Sequence, residues 1–221
     1  MVYASYYNGL IRFDERELSP EAVNKINGLS DIGIRLLRTN PYNNKVLVVY
    51  DNCNIDVIDE NQNITNFPDI KLKSLNGKKI INEVTFDKQF AYLACGFGIV
   101  IIDTEKLETK DTYIIGSNAS YLEVYQLALN DSLIFAATPV GMYRASRSKI
   151  LNNYKNWAYD TLYLPKGTYC GVKNISGKVL SCYCPSTLDP ADKNKDSIFT
   201  FVNNNWKNFD AQGHSIRKMG G

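Results

Sequence analysis

Apolar positions along this chain come in short runs, and the runs come in pairs. One pair is YLACGFGIVIID (residues 92–103), where two apolar stretches flank Gly96 and Gly98. Nearly the same arrangement occurs in VYASYYNGLIRFD (2–14), VLVVYDNCNIDVID (46–59) and IFAATPVGMYRA (134–145). Glycine enters the left-handed backbone region freely, and asparagine is the next most tolerant residue. Each pair therefore predicts a β-hairpin whose turn ends at Gly9, Asn54, Gly98 or Gly141, at spacings of 45, 44 and 43. Asp14, Asp59 and Asp103 close the second runs, at spacings of 45 and 44. A period of that length with several strands per copy is the signature of a β-propeller.

Two further strands complete each copy. A first strand is expected at 32–37, 82–86, 124–129 and 169–173, and a last one at 64–67, 112–115, 157–163 and 206–209. Short polar turns such as NNK (43–45), DKQ (87–89) and NDS (130–132) join the first strand to the hairpin. The fold expected is all-β, a propeller of four-stranded antiparallel blades, with four complete blades plus fragments of a fifth. The blades run over 2–27, 31–68, 80–116, 123–164 and 168–210, with a terminal strand at 214–219, in one domain spanning 1–221. A short helix is expected only around 147–154. In the last copy, PSTLDPADKNKD (185–196) lengthens the hairpin loop. Hairpin loops and blade-to-blade connections share one end of a propeller, the top face. Asp51, Asn52, Asp192, Asn194 and Asp196 are therefore the candidate binding residues, carried on loops over a rigid scaffold.

The first copy begins at the hairpin, and the last ends in HSIRKMGG, a strand followed by a turn. Residues 214–219 could pair with 2–6 and close a ring of five. Otherwise the chain is the front of a larger propeller, which the terminal Gly-Gly favours. Open blade ends expose apolar faces, and exposed apolar faces drive association. A dimer through those ends is the favoured expectation.

Composition agrees with strands: 15 Tyr, 9 Phe and many β-branched residues in a chain of 221. A net charge of +2 with no basic run points away from nucleic acid. No apolar run is long enough to span a bilayer. No charged segment followed by an apolar one suggests a signal peptide at the N-terminus. The five cysteines are Cys53, Cys95, Cys170, Cys182 and Cys184. They lack the spacing of a zinc ribbon. They read as buried thiols in strands, with five free thiols expected.

Catalytic and metal signals are weak, and neither a cofactor nor a metal is expected. His214 is the single histidine, too few for a His-based triad or a His-ligated metal. DKNKD (192–196) spaces its oxygens like the start of a calcium loop. Ser197 stands where that loop needs glycine, and Asn203 where it needs glutamate. A solvated loop is the better reading. The pairs Asp14/Glu15 and Asp59/Glu60 end strands, where acids usually form turns. NIT, NAS and NIS, at Asn63, Asn118 and Asn174, match the glycosylation pattern in a chain rich in turn asparagines.

NGLSDIGI (27–34) lies at a blade junction and resembles the two-component-regulator propeller repeat. The ordered set NIDVID, FPDIKLKSLNGKKIINEVTF, AYLACGFGIVIID and KDTYIIGSNA is similar to the N-terminal propeller of PorZ-like proteins of the type IX secretion system, over residues 2 to about 160. That resemblance implies a non-catalytic scaffold at the cell surface or periplasm. It also implies a sortase-like protein partner or a glycan such as lipopolysaccharide, in the attachment of anionic lipopolysaccharide to cargo. The alternative is the carbohydrate-sensing extracytoplasmic propeller of a hybrid two-component regulator. Such sensors usually carry W-[IV]-G-T in the first hairpin strand. The equivalent positions here read YASY, VVYD, LACG and AATP, which favours the first reading.

Overall fold

In a computed structural model, the chain is described at residues 1–161, 163–184 and 197–209. It forms five antiparallel sheets in which strands pair in chain order. The first sheet holds β1 (Val2–Tyr6), β2 (Gly9–Asp14) and β3 (Ser19–Asn24). The second holds β4 (Ile34–Thr39), β5 (Val46–Tyr50), β6 (Ile55–Ile58) and β7 (Ile64–Phe67). The third holds β8 (Ile81–Asp87), β9 (Phe90–Cys95), β10 (Gly98–Asp103) and β11 (Glu108–Tyr113). The fourth holds β12 (Gln126–Leu129), β13 (Leu133–Thr138), β14 (Gly141–Ser146) and β15 (Trp157–Tyr159). The fifth holds β16 (Tyr169–Ile175), β17 (Lys178–Tyr183), β18 (Ser197–Val202) and β19 (Asn205–Phe209). The expected strand at 214–219 and the 185–196 loop lie outside the described residues.

The chain divides into two compact units. Met1–Ile81, Phe86–Ala91 and Ile101–Lys110 form the first, and Asn82–Thr85, Tyr92–Val100 and the chain from Asp111 form the second. In the first unit, Leu10, Val23 and Leu29 pack against Val46, Val48, Tyr50 and Ile58. In the second, Phe135, Ala137 and Met142 pack against Tyr169, Val172, Phe199 and Trp206. All five residues of β5 are buried, Val46, Val48 and Tyr50 against the first sheet. That burial explains why its sequence is continuously apolar rather than alternating. In β1 only Tyr3 is partly buried, packed against the cluster of the first unit, while Val2, Ala4, Ser5 and Tyr6 are exposed.

The hairpin glycines are required by close approach. A Cβ on Gly9 would meet the Val23 carbonyl at 2.6 Å. On Gly98 it would strike the Tyr113 carbonyl, and on Gly141 the Tyr159 ring. In each case the obstacle lies on the last strand of the same sheet. In the β5–β6 turn the left-handed residue is Cys53 (φ 63°), not Asn54 as expected. Asn54 is buried, and its Oδ1 accepts from Asn66 Nδ2 at 3.0 Å.

The strand-end acids are turn formers, as their position suggested. Asp14 Oδ1 accepts the Arg16 N–H at 2.8 Å, Asp59 Oδ1 that of Asn61 at 2.8 Å, and Asp103 Oδ1 that of Glu105 at 3.0 Å.

Three expectations are corrected. The last strand of the third sheet lies at 108–113, not 112–115, because the Asp103 turn sets its register and its exposed residues need no apolar pattern. A four-residue helix, α1 (Asp69–Leu72), with Ile70 buried, lies where no helix was expected, since the sequence pointed only to 147–154. The cysteines are not all free: Cys170 and Cys184 form a disulfide with a Cα separation of 5.8 Å, leaving Cys53, Cys95 and Cys182 as buried thiols. Continued from the Gly171–Cys182 pair, a regular ladder would place Cys170 opposite Tyr183, with its side chain on the other face of the sheet from that of Cys184. Instead, the register shifts between Tyr169 and Gly171, so Cys170 is the extra residue of a bulge and reaches Cys184.

Candidate binding surface

At the hairpin-loop end of the first unit, four segments converge on Asp31. Two of them are predicted from sequence: the NGLSD connection and the β5–β6 turn. Every residue of NGLSD has a structural task. Asn27 Nδ2 donates to the Ala22 carbonyl at 2.8 Å, while its Oδ1 accepts the Asn24 N–H at 2.6 Å. Gly28 has φ 154°, and Leu29 is buried in the core. The Ser30 N–H donates to Asp56 Oδ2 at 2.8 Å. Asp56 is fully buried and also accepts from Tyr50 Oη at 2.6 Å and from Asn66 Nδ2 at 2.9 Å. Burial, together with the Asp56 carboxylate, pushes the Tyr50 phenol well above its ordinary range. This buried network supports the loops from below.

Asp31 is the centre of the surface layer. Its Oδ2 accepts from Asn52 Nδ2 at 2.6 Å and from Lys71 Nζ at 2.7 Å. Lys25 Nζ stands 3.7 Å from its other oxygen. Burial raises the Asp31 pKa, but hydrogen bonds from Lys71 and Asn52 outweigh that and bring it down to about 2. Asp51 is exposed and lies 3.7 Å from the Arg35 guanidinium, while its N–H donates to the Gly33 carbonyl at 2.9 Å. The Gly33 N–H donates in turn to Tyr7 at 2.8 Å, joining the β1–β2 turn to the group. Arg35 occupies a bulge in β4 and donates to the Ile81 carbonyl at 2.9 Å. From the connection after α1, Lys79 Nζ donates to the Lys71 carbonyl at 2.8 Å.

Four cations (Lys25, Arg35, Lys71 and Lys79) thus surround two carboxylates. Lys73 and Lys78 add charge from the same connection. Tyr7, Ile32 and Leu72 stand exposed among them, at 65%, 50% and 74% of their full accessibility. The surface is cationic with apolar points. Cys53 lies under the turn, where burial raises its thiol pKa against the pull of Lys79 and Arg35. A thiol so placed is inert.

Of the sequence candidates, the structure brings Asp51 and Asn52 to this surface; Asp192, Asn194 and Asp196 lie outside the described residues. Arg35, Lys71 and Lys79 were missed. Their signal was legible, since four lysines fall within 71–79 in a connection that shares the top face with the hairpin loops. Among the described residues, no group of three or more His, Cys, Asp or Glu could hold a metal ion. No helix there is long and apolar enough to cross a membrane.

Residues 2–158 match the family described as the N-terminal β-propeller domain of PorZ, a type IX secretion system component. No curated protein matches the chain by sequence. Among solved structures it is similar to PorZ of Porphyromonas gingivalis, described as an essential bacterial surface component of that system. The TM-score is 0.77 at 21% identity, over 93% of this chain and 26% of that one. It also resembles the extracellular domain of the hybrid two component system BT4673 from B. thetaiotaomicron. There the TM-score is 0.57 at 18% identity, over 90% of this chain and 24% of that one. The tricorn protease gives a TM-score of 0.60 at 12% identity, over 93% of this chain and 25% of that one. The chain spans about a quarter of the length of these structures. With its five antiparallel sheets and a match over residues 2–158, the chain belongs to the family of PorZ N-terminal β-propeller domains.

Proposed function

We propose that residues 1–221 act as one propeller domain and non-catalytic binding module at the cell surface or periplasm. Its role is to assist the attachment of anionic lipopolysaccharide to cargo, alongside a sortase-like protein. One observation carries the reading: the Asp31 surface gathers Lys25, Arg35, Lys71 and Lys79 beside exposed Tyr7, Ile32 and Leu72. Such a surface suits an anionic glycan that also presents apolar groups, or an acidic protein loop. The Cys170–Cys184 disulfide supports an oxidising location outside the cytoplasm. The candidate residues Asp51 and Asn52 hold the surface together, and the cations make the contacts.

Surface plasmon resonance on immobilised anionic lipopolysaccharide, with uncharged lipopolysaccharide as reference, tests this. The expected result is binding to the anionic form that weakens with salt. Lys71→Glu/Lys79→Glu should weaken it by at least about tenfold. Equal binding to both forms, or binding that survives the double substitution, would overturn the reading. The alternative is a carbohydrate-sensing propeller, favoured by the likeness to the extracellular domain of a hybrid two component system. It predicts preference for an uncharged oligosaccharide at this same surface.

A further inference from the structure

At the opposite end of the strands in the first unit, the β4–β5 and β6–β7 turns and Glu105 enclose an open pocket of about 480 Å³. That volume is within the roughly 300–1,000 Å³ that ligand pockets occupy. Some of its lining groups are already engaged and hold the walls in place. Lys45 Nζ donates to Glu105 Oε2 at 2.8 Å and to the Thr104 carbonyl at 2.9 Å, and Asn43 Nδ2 donates to Glu105 at 2.5 Å. Asp59 accepts from the Asn61 and Asn63 N–H groups and from the Asn63 amide, each at 2.8 Å. The Asn63 amide and the turn N–H groups hold its carboxyl below the usual range, although the little burial it has acts the other way.

Other groups are uncommitted. The side chains of Tyr42, Asn44, Glu60 and Asn61 make no hydrogen bond among the described residues. Tyr42 is 62% exposed, leaving its ring open to the pocket and solvent. These groups narrow the ligand class. The lining is polar, which disfavours an apolar molecule. Lys45 is paired with Glu105, so the Asp59 and Glu60 carboxylates leave the lining negative, which repels anions. Two amides and a carboxylate offer donors and acceptors side by side, the mixture that vicinal hydroxyls, each both donor and acceptor, satisfy best. A flat aromatic ring beside them suits the C–H face of a sugar ring.

We propose that this pocket binds an uncharged saccharide unit, its C–H face on the Tyr42 ring and its hydroxyls shared among Asn44, Glu60 and Asn61. The site is separate from the cationic surface around Asp31, and its fate does not depend on that reading. A free sugar and the end unit of a glycan offer the same chemistry. Saturation-transfer NMR on the full 221-residue chain, with glucose, galactose, mannose and N-acetylglucosamine, tests the free form. Immobilised neutral glycans ending in the same units test the bound form.

Binding in either arm, weakened at least about tenfold by Tyr42→Ala and measurably by Asn61→Ala or Glu60→Gln, supports the site. Lys178→Ala, at the start of β17 in the other unit, should leave it unchanged. Glycan binding alone assigns a chain end; free-sugar binding assigns a single unit. Absence of binding in both arms overturns the proposal. Binding that survives Tyr42→Ala/Asn61→Ala, or that inorganic phosphate competes away, also overturns it. Melting curves verify that each variant is folded; should Tyr42→Ala unfold, Asn61→Ala and Glu60→Gln carry the test.

Discussion

Asp31 shows what a single carboxylate can do when loops close around it. Its pKa of about 2 lies below the ordinary 3.8 because Lys71 and Asn52 stabilise the ionised form against the cost of burial. The folded state therefore binds this proton more weakly than the unfolded chain does. The stabilisation is fully present above about pH 4 and is lost as pH falls through about 2. Urea unfolding at neutral pH and at successively lower pH should show the parent losing more stability on acidification than Asp31→Asn. Parallel losses would refute the assignment. Asp56, buried below, takes no part in this layer. It is committed to Ser30, Tyr50 and Asn66 and holds the frame on which the upper layer rests.

Among the elements, the bulges decide what the loops can present. Arg35 in β4 and Cys170 in β16 both occupy register shifts at the start of the first strand of a four-stranded sheet, 135 residues apart. One bulge directs a guanidinium toward Asp51 and Ile81; the other brings a thiol to Cys184. Thiol titration of the denatured, unreduced protein should therefore find three thiols, Cys53, Cys95 and Cys182. Five would refute the disulfide. The bond closes a sequence separation of 14. In the chain-entropy account, breaking it by Cys170→Ser/Cys184→Ser costs about 3 kcal/mol.

At the scale of the whole molecule, among the described residues the first sheet has three strands where the others have four. Among the described residues β1 pairs only with β2, and Val2 and Ile11 are 50% and 43% exposed on the uncovered face. An unpaired edge beside an apolar face invites association. Light scattering at micromolar concentration is expected to give a dimer, and Ile11→Lys should shift it to monomer. A monomeric parent protein would overturn this.

The repeat, the hairpins and the turn acids were legible in the sequence because they are local. Hydrophobic runs, glycines under a crowding strand and Asp side chains capping their own turns all act within about twenty residues. The same locality made Asp51 and Asn52 visible as loop residues. The chain pattern could not reveal which loops meet. Lys71 reaches Asp31 across 40 positions, and Arg35 reaches Ile81 across 46. Nor could it reveal the Cys170–Cys184 bond, which depends on one extra residue in a ladder. Alternating polarity specifies which face a strand buries. It is indifferent to a bulge, which lengthens one strand against its partner without changing composition. The candidate surface was decided there, by the packing of sheets that brings distant connections to one end of the strands.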